Sequence, residues 1–129
     1  MKLIEAVNAY MAANEMSRQS WPYAMSYAIV KVKTATRDAL SFFVDSERAL
    51  IEGYAALDDH GNIRLAQGGG FIFKDISNAR AYEDARRALC ETEIEHPASL
   101  VQIKAPVEIK PAHIEALAGF IQFTTEEGS

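Results

Sequence analysis

Few of this chain's titratable residues stand at spacings that chemistry uses. Asp58, Asp59 and His60 stand in a row and offer the oxygen and nitrogen donors that metals take. A calcium loop, however, continues with acidic ligands at alternating positions and closes on a bidentate carboxylate. The stretch from Leu65 to Gly70 supplies neither. Asp58 to Asn62 therefore reads as a turn that stops a helix and reverses the chain. His96 and His113 have no partner at a metal-ligand spacing, so both read as surface or packing histidines. Cys90 lies near Arg86 and Arg87, which would favour its thiolate if they faced it. With no histidine base in reach by sequence, it reads as a half-buried structural thiol. Glu91, Glu93 and Glu95 alternate as on a solvent-facing strand. These readings assign no catalytic residue, no metal site and no cofactor.

Gly68, Gly69 and Gly70 would let backbone N–H groups approach a phosphate, but phosphate loops deliver the anion to a helix N-terminus. Here the glycines lead into Phe71-Ile72-Phe73, a strand pattern, so they read as a hairpin tip. An exposed glycine tip flanked by Phe71 and Phe73 is a candidate contact element for another protein. Phe42 and Phe43, on a long helix described below, join Gly68, Gly69, Gly70, Phe71 and Phe73 as candidate protein-contact residues.

Composition narrows the classes. The 129 residues suffice for one domain with its own core, residues 1–129. Apolar residues make up 49% and charged residues 24%, the balance of a folded globular chain. Eighteen acidic residues against 13 basic give a net charge of −5, which opposes direct binding to nucleic-acid phosphates. One cysteine excludes an internal disulfide and points to a reducing cytoplasm. The opening MKLIEAVNAY lacks the continuous apolar run of a signal peptide, and no segment has the roughly 20 apolar residues that span a bilayer, so no membrane is expected.

The elements that would position these residues follow from periodicity. Leu3, Val7, Tyr10 and Asn14, with Ile4 and Met11 beside them, predict a first amphipathic helix ending near Arg18. Pro22 suits the first turn of the next helix. That helix runs to about Leu57, roughly 54 Å if helical throughout. Apolar residues recur along it every seven positions, in the row Ile29, Thr36, Phe43, Leu50, Leu57 and the row Ala28, Ala35, Phe42, Ala49, Ala56. The two helices predict an antiparallel helical hairpin over residues 2–57. A β-hairpin over 63–74 follows, then a helix over 77–91 capped by Asp75 or Ser77, short strands within 93–109, and a last helix over 111–123 opened by Pro111. The expected class is α+β, predominantly α, with a small antiparallel sheet. No internal repeat and no low-complexity tract is evident.

Five segments carry a resemblance: LIEAVNAYMAANEM, WPYAMSYAIVKVK, FFVDSERALIEGYAALDDHGNI, SNARAYEDARRALCETEIE and EIKPAHIEALAGFI. In their order and spacing they resemble a family of small uncharacterised proteins of tailed bacteriophages and their prophages. The glycine-rich insertion at Gly68 to Gly70 and the alanine- and arginine-rich composition depart from that pattern. The family brings no catalytic residues, so the resemblance implies a phage origin and a non-enzymatic role in the host bacterium's cytoplasm or on the virion. The expected function is binding to a protein partner, either a phage structural protein or a host immune effector. A homodimer through the apolar stripe is compatible with it. The rival is a small-ligand-binding protein or minor enzyme with a pocket between helices and sheet.

Overall fold

A computed structural model describes residues 1–96, 101–106 and 108–124. Its spine is α2 (Tyr23–Tyr54), 32 residues and about 48 Å long. Pro22 precedes it with φ near −54°, and the Trp21 indole N–H donates to the Met16 carbonyl at 2.7 Å, closing the connection from α1 (Leu3–Met16). Met16 shares a buried cluster with Met25, while Leu3 shares one with Phe43. The two helices therefore run antiparallel, with α1 covering only the first half of the spine. Alanines Ala9, Ala12, Ala13 and Ala28 sit between them, small enough for close approach.

The second half of the spine is covered by α3 (Ala79–Cys90), entered through a 3₁₀ turn at Ile76–Asn78. Tyr82 meets Tyr54, and four residues later Arg86 meets Glu47, so α3 also runs antiparallel to α2. It ends where α1 begins. The Leu3 N–H donates to the Thr92 carbonyl at 2.8 Å, the Ile94 N–H to the Met1 carbonyl at 2.8 Å, and the terminal ammonium to the Ile94 carbonyl. α3 and α1 thus lie end to end along one long helix.

A compact β–α–β unit adds a further layer to the α1 half. β1 (Val101–Lys104) and β2 (Ile121–Thr124) are parallel, with Val101 opposite Ile121, and α4 (Pro111–Leu117) lies in the crossover between them. This corrects the expected antiparallel sheet and the expected helix over 111–123. The helix stops at Leu117 because Leu117, Phe120 and Ile121 all enter the core, and the alternating Ile121-Gln122-Phe123 then pairs as a strand. Glu93 makes only a single bridge, to Lys2, so no strand forms at 93–95. Leu100 and Val107, parts of two expected strands, lie outside the described residues.

Beyond Tyr54 the chain makes a structure that its sequence hides. Residues 55–57, 63–65 and 71–73 form three short sides of a triangle. The Arg64 N–H donates to the Ala56 carbonyl, the Ile72 N–H to the Arg64 carbonyl, and the Ala56 N–H to the Ile72 carbonyl, at 2.9, 2.9 and 2.7 Å. At the corners, Asp58 N–H donates to Asn62 O, Ala66 N–H to Gly70 O and Lys74 N–H to Tyr54 O. Each bond recurs eight residues after the last, so the ring is a backbone repeat of period eight with almost no side-chain identity. The ring also shortens the expected helix, because Ala55 turns extended at ψ 144° to supply the first side.

Candidate protein-contact surface

The ring orders side chains as well as backbone. Ala55 bridges Phe73, Leu57 bridges Ile63, and Leu65 bridges Phe71. Bridged partners and residues two apart share a face. All six of these residues are apolar, and Ala56, Arg64 and Ile72 take the opposite face. Part of the apolar face is covered. Tyr82 of α3 stands edge-on to Phe71, Phe73 and Tyr54 at centroid distances of 5.1, 5.7 and 5.8 Å, each such pair adding about 1 kcal/mol beyond its burial. Its phenol is pushed above the usual tyrosine range by burial, and the Glu47 carboxylate adds to the effect. The rest of the face is open, with Leu57 48% and Leu65 76% exposed.

The proposed contact residues separate accordingly. Gly68, Gly69 and Gly70 form an exposed corner with φ of 88°, 109° and 74°, a left-handed backbone that side chains rarely adopt. A Cβ at any of them would meet nothing within 4 Å, so backbone conformation alone asks for glycine. Phe71 and Phe73 are half-buried against Tyr82 and hold the corner in place. Phe42 is 54% exposed on the flank of α2. Phe43 corrects the expectation: it is buried with Leu3 and Val7, and the Arg86 guanidinium lies 5.8 Å from its ring, so its surface is used within the chain. The seven-residue row Ala28, Ala35, Phe42, Ala49 leaves the core after Ala28, since a straight helix rotates about 20° per heptad away from a fixed partner.

Glu47 and Arg86 tie the lobe together at 2.8 Å, and the hydrogen bond to Glu47 raises the Arg86 pKa. Leu57, Leu65, Tyr82 and this pair escaped the sequence reading. The signal that would have found Leu57 and Leu65 is the spacing of eight between Leu57, Leu65 and Phe73.

The titratable residues do not converge. His60 is exposed in the turn, where the Asp58 carboxylate accepts the N–H groups of His60 and Asn62 at 2.8 and 2.9 Å. His113 is buried between α4 and α1, its Nε2 3.4 Å from Glu15. His96 reaches the Gly119 carbonyl. Asp75 caps the 3₁₀ turn, and hydrogen bonding from Ser77 holds its carboxyl below the usual range. Cys90 lines an open groove of about 440 Å³ with Arg86, Arg87, Glu83 and Glu91, and Arg86 Nη1 is 4.0 Å from its sulfur. Among the described residues no three of His, Cys, Asp or Glu gather to hold a metal ion, and no helix is long and apolar enough to cross a membrane. No protein-family model, curated protein or solved structure matches this chain.

Proposed function

We propose that the protein acts without catalysis, by binding another protein inside a phage-infected or lysogenic bacterium. Its partner is a virion or tail component that it helps assemble, or a host defence effector that it inhibits. The observation that carries the reading is the half-covered apolar face of the ring, held rigid by six backbone hydrogen bonds and presenting Leu57 and Leu65 to solvent. Exposed apolar side chains on a preorganised frame suit association, because little conformational freedom is lost on binding. The phage setting in this proposal rests on the resemblance of the segment order alone.

The test is capture of the tagged chain from prophage-induced cells, with mass spectrometry of what accompanies it, beside a Leu65→Glu variant. Recovery of a virion protein or an immune effector by the parent chain, and its loss with the variant, supports the reading. Recovery of neither overturns it. The groove at Cys90 favours a second reading, in which a small molecule occupies that trough. A panel of small anions that raises the melting temperature of the parent chain but not of Arg87→Ala would turn the assignment toward it.

A further inference from the structure

The opposite end of the spine carries a surface of different chemistry. In the first turns of α2, Tyr23, Tyr27, Val30 and Thr34 follow one another at steps of four, three and four residues, so they share one face. That face points away from the core, because the buried Met25 and Val32 each lie two residues from a member of the row, about 200° around the helix. The row is accordingly bare, with Tyr23 93%, Tyr27 66% and Val30 57% exposed.

Charge of a single sign surrounds it. From Met16 to Arg37 the chain has no Asp or Glu, and it has four cations, Arg18, Lys31, Lys33 and Arg37, although the whole chain carries a net charge of −5. None of the four takes part in an ion pair with a described residue. The Lys31 ammonium lies 5.6 Å from the Tyr27 ring and the Lys33 ammonium 5.9 Å from the Tyr10 ring of α1, so the two flank the row on opposite sides. The elements packed against this half of α2 add no free carboxylate. On α1, Glu5 accepts the Lys2 N–H, and Glu15 is held by Lys110 and His113; β1 has no acid. Asp38, the first acid along α2, marks the end of the patch.

We propose that this face binds an acidic amphipathic helix of a protein partner, its apolar stripe on Tyr23, Tyr27 and Val30 and its Asp or Glu residues facing Lys31, Lys33 and Arg37. The inference rests on the protein-binding reading above and adds a second contact surface, roughly 36 Å along α2 from the ring. Cations without carboxylate partners around exposed rings call for an anionic occupant, and tyrosine and arginine are the residues that anchor protein contacts. A second copy seated on the same face about a two-fold axis is disfavoured, because it would bring Lys31 and Arg37 of both chains together. Nucleic acid is disfavoured by length: the patch spans about 21 Å from Tyr23 to Arg37, and a longer polyanion would run onto Asp38, Asp45 and Glu52 of the same helix.

Two synthetic helical peptides with one Ala/Leu stripe, flanked by Glu in one and by Lys in the other, test it by fluorescence anisotropy against the full chain. The Glu peptide binds about tenfold tighter than the Lys peptide, and added salt narrows the gap. The double variant K31E/R37E, altered only at exposed positions, reverses the preference, and Tyr27→Ala weakens both peptides. Leu65→Glu, on the ring, leaves both affinities unchanged. Equal binding of the two peptides, binding of neither, or an unaltered preference in K31E/R37E overturns the inference. So does an oligothymidine that binds this face more tightly than the Glu peptide, or a dimer mass for the free chain in sedimentation equilibrium that K31E/R37E converts to monomer. A partner captured from cells whose binding ignores K31E/R37E would sink this inference and leave the protein-binding reading standing, whereas an empty capture sinks both.

Discussion

The two halves of the α2 spine are built differently. In the body, α1, the first half of α2 and the β1–α4–β2 unit enclose a cluster of eleven buried residues, from Ala9 and Met16 through Met25 and Ile29 to Leu117, Phe120 and Ile121. In the distal lobe, α3 has no buried residue and Phe43 is the only buried side chain of the spine beyond Thr36. The body has a third layer and the lobe has two helices and a ring. Apolar burial therefore holds the body, while backbone closure, aromatic edges and the Arg86–Glu47 pair hold the lobe. A region held in this way keeps its shape while leaving apolar surface outside, which is what a binding end requires.

The sharpest way to break the comparison is a deletion in the body. Phe120→Ala removes a ring that is 1% exposed, and it should cost about 4 kcal/mol of global stability in urea denaturation. Tyr82→Ala should cost less, about 2 kcal/mol, and act locally. Hydrogen exchange should quicken at the Ala56, Arg64 and Ile72 amides while Ile29 and Val32 stay protected; a uniform loss would mean the two regions are one cooperative unit. Gly69→Ala, at φ 109°, should destabilise by about 1 kcal/mol through strain in the ring, read as a small shift in the same denaturation curve.

Two smaller effects are electrostatic. The Tyr82 phenol titrates above its unfolded value, so the folded lobe disfavours phenolate. The stability this gives is complete below the unfolded value of about pH 10 and is lost as pH rises through the folded one. The melting temperature of the parent chain should fall more steeply than that of Tyr82→Phe above that pH. Glu47→Gln should cost only about 0.5 kcal/mol, because Arg86 is 44% exposed and water screens the pair, and the loss should shrink in high salt.

What the sequence disclosed follows from the range of the interactions. α1, α2 and α3 were legible because Leu3 and Val7, or Ile29, Thr36 and Phe43, recur on one helical face within a few turns. The ring was not, since each side is only three residues long, too short for an alternating pattern, and Ala56 finds its partners eight and sixteen residues away. β2 was masked by coincidence: Ile114, Leu117 and Phe120 to Ile121 continue a helical spacing across Gly119, where the chain in fact changes to strand. Of the candidate contact residues, the Gly68 to Gly70 corner was readable as a turn. Leu57 and Leu65 were not, because their shared face depends on ring closure, and Phe43 misled because sequence spacing does not say which of two adjacent rows the partner helix covers.

Residue-resolved hydrogen exchange of the full chain, alone and with a protein partner captured from prophage-induced cells, tests most directly whether the distal lobe is the binding end. The account expects slowed exchange over the second half of α2 and at residues 55–57 and 63–65, with the amides of α1, α4 and β2 unchanged. Slowing confined to the body, or none at saturating partner, would contradict it.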